Sequence, residues 1–297
     1  MESGKRNKRR IGLISLVIVI IVCVGLIIGG MKLTMFHSAK LDEEILDQVV
    51  INSPNVSLGS RIKAQNDIFK GQFIYKQYKD IDGYIIPWTD IIGNYGVWGE
   101  NSVGRVPLNN FNGTLDFTEG TNQKMMKFYS QDVPYKKINN DIVLTSTDTD
   151  KVMEMAISFD KKYSLKEIRA KIPVNLNIAW LWLGEEENGG QSDALTPDQV
   201  YGFEGIQKKV EKVSDADIFK GNYNNFISSL ESLASKSEHV ANLLTKYGKE
   251  DIDNLQFKGI VLTGQAINFK QLAGAPFIRA SEIGATADIV PYIKPYK

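Results

Sequence analysis

The chain has 297 residues, 43% hydrophobic and 24% charged, figures that exclude a wholly disordered protein. Its 35 basic and 35 acidic residues cancel, but Lys5, Arg6, Lys8, Arg9 and Arg10 against Glu2 leave residues 1–10 at +4 and the remainder at −4. With no long basic stretch after residue 10, a nucleic-acid surface has no footing. The single cysteine, Cys23, excludes an internal disulfide and any multi-cysteine zinc site.

Residues 11–31, IGLISLVIVIIVCVGLIIGGM, carry no charge. As a helix they span about 30 Å, the thickness of a bilayer's hydrocarbon core. The run is too long for the apolar part of a cleavable signal, and the HSA at 37–39 is a poor cleavage site. We therefore expect a retained transmembrane helix. The basic cluster before it predicts a cytoplasmic N-terminus and an extracytoplasmic bulk. The ten-residue tail has no room for a folded domain. Gly25 and Gly29 form a Gly-x-x-x-Gly spacing that suits close approach of a partner helix in the membrane.

Residues 40–50 predict a short amphipathic helix, and 51–60 a turn-rich linker. From 61 to about 150, aromatic and β-branched runs broken by Gly, Asn and Asp predict strands, and residues 141–160 add two further candidates, DIVLTS at 141–146 and KVMEMAISF at 151–159. Asn112-Gly113 predicts a tight turn. Ser164 and Glu167 have the spacing of a capping box, and Pro173 ends the helix that follows. VNLNIAWLWLG at 174–184 is apolar on both faces, which predicts a central strand covered on both sides. Thr196-Pro197 predicts another helix start, and residues 224–246 one long helix. Strand, short helix and strand complete the chain from 258, giving an α+β class. The expected divisions are a tail (1–10), a membrane helix (11–31), a β-rich region (32–144) and an α+β domain (145–297). DIFKG occurs at 67–71 and 217–221, too short an echo to establish a duplication.

Three stretches carry a resemblance: AISFDKKYSLKEIRAKIPVNLNIAWLWLG at 156–184, YGFEGI at 201–206 and GIVLTGQAINFKQLAGAPFIRASEIGATADI at 259–289. In order and content this region resembles the sigma factor regulator C-terminal domain, and about 10–110 resembles the companion N-terminal domain. The resemblance implies a single-pass membrane protein of Gram-positive bacteria. Some relatives are anti-sigma factors that hold an extracytoplasmic-function sigma factor at the membrane. Because the tail is so short, the resemblance here implies the outer sensory or accessory component, working through a membrane partner that has a cytoplasmic sigma-binding domain.

No catalytic constellation emerges, and no enzyme, cofactor or metal is expected. His37 and His239 are the only histidines, and His239 reads as a solvated surface residue. Ser60-Lys63 and Ser158-Lys161 lack the partner motifs of penicillin-binding enzymes. Glu185, Glu186 and Glu187, like Asp148 and Asp150, read as solvated loop rather than as a calcium site. Trp180 and Trp182 share a face of the apolar strand and read as core. Trp88 and Trp98 flank a turn-rich segment and are the candidate ligand-binding aromatics. They support the alternative function: a membrane-anchored envelope module that captures wall glycan or peptide without signalling.

Overall fold

The computed structural model describes residues 2–64, 67–105, 117–118, 121–146, 150–186, 193–206 and 213–297. It has an apolar N-terminal helix, a β-rich region and a mixed C-terminal part, the expected α+β class. The chain forms two compact units that interleave in sequence. Unit 1 takes residues 1–43, 61–74 and 92–104; unit 2 takes 44–60, 75–91 and 105–297.

Helix α1 runs unbroken from Glu2 to Asn52, so the separate helix expected at 40–50 is its last turns. No Pro or positive-φ residue interrupts it; Pro54 and Asn55, the latter with φ 54°, make the exit turn after its end. The linker expected at 51–60 is shorter than its turn residues suggest, because β1 (Ser57–Ala64) begins within it. Strands β2 (Lys70–Ile81), β3 (Tyr84–Pro87), β4 (Ile91–Gly96) and β5 (Ser102–Arg105) follow. The first sheet has the order β1-β2-β4-β5, with β3 paired to β2. Asp82 (φ 56°) and Gly83 (φ 97°) make the tight β2–β3 turn.

Unit 2 is built on a second five-stranded sheet. Its strands are β6 (Lys151–Tyr163), β7 (Asn177–Glu185), β8 (Val200–Ile206), β9 (Phe257–Gln265) and β10 (Ile278–Asp288), in the order β10-β6-β9-β7-β8. Every pairing is antiparallel. One face is covered by α2 (Leu165–Lys171), α3 (Asp215–Leu233) and α4 (Glu238–Tyr247), whose Ile168, Phe226 and Val240 join Leu181, Phe203 and Ile260 of the sheet. The opposite face buries Trp180 and Trp182 with Met126, Phe128 and Leu195. The Trp strand is thus internal and covered on both sides, as its double apolar face predicts. A register shift between Ile178 and Trp180 puts Ala179 with the tryptophans rather than opposite them. Glycines on the flanking strands admit the two rings. A Cβ at Gly202 would lie 2.8 Å from the Trp180 ring, and one at Gly259 2.8 Å from that of Trp182.

The capping box at Ser164 forms as expected, with Glu167 bonding back to the Ser164 amide at 2.8 Å. Three local expectations are corrected. DIVLTS is a 3₁₀ turn (Asp141–Ser146) rather than a strand; the Ile142 amide bonds to Ser281 Oγ at 3.1 Å instead of a sheet neighbour. Thr196-Pro197 starts a single 3₁₀ turn (Pro197–Gln199) that gives way to β8. The helix expected at 224–246 starts earlier, after the Ser214 cap, and divides at 234–237, where Ser237 caps a second helix. The two DIFKG copies adopt unlike structures, one entering β2 and one inside α3, so they share no turn. Asn112-Gly113, Asp148 and Glu187 lie outside the described residues.

Candidate functional site

A polar pocket of about 300 Å³ opens in unit 2 at the carboxyl end of β7. The strand delivers Gly184 and Glu185 there, α4 supplies His239 and Lys246, and β9 supplies Lys258. Glu185 Oε1 accepts from Ser130 Oγ at 2.7 Å and from Lys258 Nζ at 2.6 Å. Glu186 accepts from the Tyr201 hydroxyl at 3.2 Å, and the Tyr201 ring lies 4.9 Å from that of His239. Burial, then the charge of Glu186, pushes the Tyr201 hydroxyl pKa up, so it stays a donor. Burial likewise raises that of Tyr247, to about 12, and its hydroxyl donates to Leu183 O at 3.0 Å. Two atoms here are buried without a hydrogen-bond partner among the described residues: Glu185 Oε2 and His239 Nε2.

This geometry suits binding better than catalysis. Ser130 Oγ and Lys258 Nζ are 3.4 Å apart, but the lysine is held in an ion pair with Glu185, to which the serine also donates. The unpartnered carboxylate oxygen and imidazole nitrogen are where a polar ligand would find partners. Sequence reasoning missed this pocket. His239 is half-buried against Tyr201 rather than solvated, and Glu185 and Glu186 are tied rather than loose.

A second cluster is wholly buried. Lys79 Nζ of β2 meets Glu154 Oε1 of β6 at 2.6 Å, with side chains 1% and 0% exposed. Asn55 Nδ2 donates to Glu154 Oε2 at 2.8 Å, and the Ala285 amide to Oε1 at 3.0 Å. Burial pushes the Lys79 pKa down while the Glu154 charge holds it up. The pair therefore fastens three parts of unit 2 together: the exit of α1, the β2–β3 hairpin and the central sheet.

The sequence-derived candidates fall in separate places. Trp88, half-buried in unit 2, has the Lys79 ammonium 4.1 Å from its ring centroid, a cation–π contact that occupies one face. Trp98, in unit 1, is 81% exposed. At Gly25 and Gly29 an added Cβ would meet nothing within 4 Å, so among the described residues that helix face is bare. Ser158 is buried and accepts from the Tyr129 amide at 2.9 Å, a structural role. Among the described residues no group of three His, Cys, Asp or Glu side chains is arranged to hold a metal.

Comparison with curated proteins and with solved structures gives no match in either set. Family models do match. The sigma factor regulator N-terminal domain covers residues 1–86, and the sigma factor regulator C-terminal domain covers residues 144–285. The first match takes in α1 and the opening strands through β3; the second takes in β6 to the middle of β10. With both domains present in that order and together spanning most of the chain, this protein belongs to the sigma factor regulator family.

Proposed function

We propose that this regulator is a single-pass membrane protein, N-terminus inside, whose outer units form the sensory or accessory component of an extracytoplasmic-function sigma factor system. The observation that carries this reading is α1. Its segment from Ile11 to Ile28 is apolar and solvent-exposed throughout, in a helix long enough to cross a bilayer. A soluble protein rarely leaves so much contiguous apolar surface open. The family's regulatory character and the polar pocket support a sensory role for unit 2. The bare Gly25–Gly29 face supports coupling to a second membrane protein that carries the sigma-binding domain.

The test has two arms. A reporter active only outside the cytoplasm, fused after Lys297, gives signal in membranes; signal only from a cytoplasm-active reporter, or release of a processed chain into the medium, refutes the topology. Replacing residues 11–31 by an unrelated membrane helix abolishes control of the sigma-dependent reporter while the outer units stay folded. Normal control by the swapped protein places the coupling in contacts outside the bilayer. Unchanged transcription on deleting the whole protein, together with glycan or peptide capture by the purified full chain, favours the envelope-binding alternative.

A further inference from the structure

Two turns of unit 1 pack on α1 just where its uncharged segment ends. In the first, Asp67–Lys70, the Phe69 ring lies 2.6 Å from where a Cβ of Gly30 would sit, so the glycine admits the ring. In the second, Gly96–Asn101, Gly99 has φ 77° and a Cβ position 3.1 Å from the His37 ring. A hydrogen bond from the Val97 amide to Phe69 O at 2.9 Å joins the turns, and Asn101 Nδ2 reaches His37 O at 3.5 Å. Trp98 lies between Val97, tied to the level of Gly30, and Gly99, tied to that of His37. At about 1.5 Å per residue these levels are about 10 Å apart along the helix.

The surroundings are apolar and open. Met35, Phe36, Ile68 and Trp98 are 67%, 61%, 51% and 81% exposed. They continue the exposed apolar surface of the helix rather than forming an island, and exposed Lys32 and Lys70 lie among them in sequence. In a bilayer spanned by residues 11–31, Gly30 marks the edge of the hydrocarbon; the headgroup layer beyond it is about 5–8 Å deep, which takes in the level of Trp98 and ends just short of His37. Tryptophan is enriched in that layer, where its ring is apolar and its N–H still finds partners.

We infer that unit 1 contacts the outer leaflet: Ile68 and Phe69 reach the hydrocarbon boundary, and Trp98 sits among the lipid headgroups. The occupant is lipid, because the patch is continuous with the membrane helix and lies within the thickness of its interface. Trp98 is then a membrane-interface residue rather than a sugar-stacking one. This inference rests on the membrane anchoring proposed above.

Spin labels test it on the full chain in vesicles of phosphatidylethanolamine and phosphatidylglycerol. Three single-cysteine proteins are compared: the native Cys23, and Ile68→Cys and Trp98→Cys, each in a Cys23→Ser background. Labels at 68 and 98 are expected to show an oxygen-to-nickel accessibility ratio several-fold above that of labelled glutathione in water and below that of the label at Cys23. Ile68→Cys keeps Trp98, so loss of the indole cannot mask the result. If labels at 68 and 98 match the water reference while Cys23 reads hydrocarbon, the anchor stands and the interface contact falls. Low accessibility to both reagents at 68 and 98 marks a protein partner and overturns the lipid assignment. If Cys23 itself reads water, the anchoring fails and takes this inference with it.

Discussion

Lys79→Met is the sharpest probe of how unit 2 is held together. The substitution keeps most of the aliphatic stem and removes the ammonium, which lies 2.6 Å from Glu154 and 4.1 Å from the Trp88 ring centroid. Glu154 then stays 0% exposed, holding Asn55 Nδ2 and the Ala285 amide but no countercharge. Breaking a buried pair in this way costs about 3–5 kcal/mol, and we place this one near the lower end because two donors remain. That is a large fraction of the roughly 5–15 kcal/mol that stabilises an ordinary domain. Lys79→Met/Glu154→Gln discharges the orphan while an amide oxygen still accepts from Asn55 or Ala285, so the double variant recovers about half of the loss or more. Urea unfolding of the full chain in detergent, followed by fluorescence of the buried Trp180 and Trp182, reads both changes as shifts of midpoint at constant slope. A cost for Lys79→Met below about 1 kcal/mol, or a double variant no more stable than the single one, refutes the reasoning.

Trp180→Ala removes a 1% exposed ring packed edge-on to Phe128, and it should destabilise by about 3–5 kcal/mol in the same assay; a loss under about 1 kcal/mol means the ring is not core. Asp82 gives a pH signature. Burial raises its pKa from 3.8 to about 6 against the hydrogen bonds from Asn177 and Lys297. The folded state therefore binds a proton in that window that the unfolded chain has released, so its contribution to stability is full below pH 3.8 and is lost as pH rises through about 6. Asp82→Asn, which tolerates the positive φ, should exceed the parent in melting temperature at neutral pH and converge with it in acid; parallel curves at every pH contradict the assignment.

Elements governed by a single local rule were legible in the sequence. The Trp strand declared itself because both faces are apolar, and α2 because its capping box and its proline bracket it. The split of the 224–246 helix was hidden: Phe226, Leu230, Leu233 and Val240 keep a helical rhythm across the break, while the first helix ends at the Ala234 cap and Ser237 caps the next. The buried pair was half visible. Lys79 shares strand parity with Phe73, Tyr75 and Ile81, all buried, so the alternation placed it inward, but nothing local named Glu154, 75 residues away. The polar pocket was not legible, because it gathers Ser130, Glu185, His239 and Lys258 from four separated segments.

The unbroken course of α1 from Glu2 to Asn52 makes it a torsion shaft. Its azimuth advances about 100° per residue, so the heading of the Gly25–Gly29 face depends on how many residues precede or follow it along the helix. One residue inserted between Lys32 and Lys40 swings that face about 100°, whereas seven return it to within about 20° of its original heading. The coupling proposed for this helix would depend on heading rather than on length. Under the proposed anchoring, a twist of the helix would arrive as a change in which neighbour the glycines face.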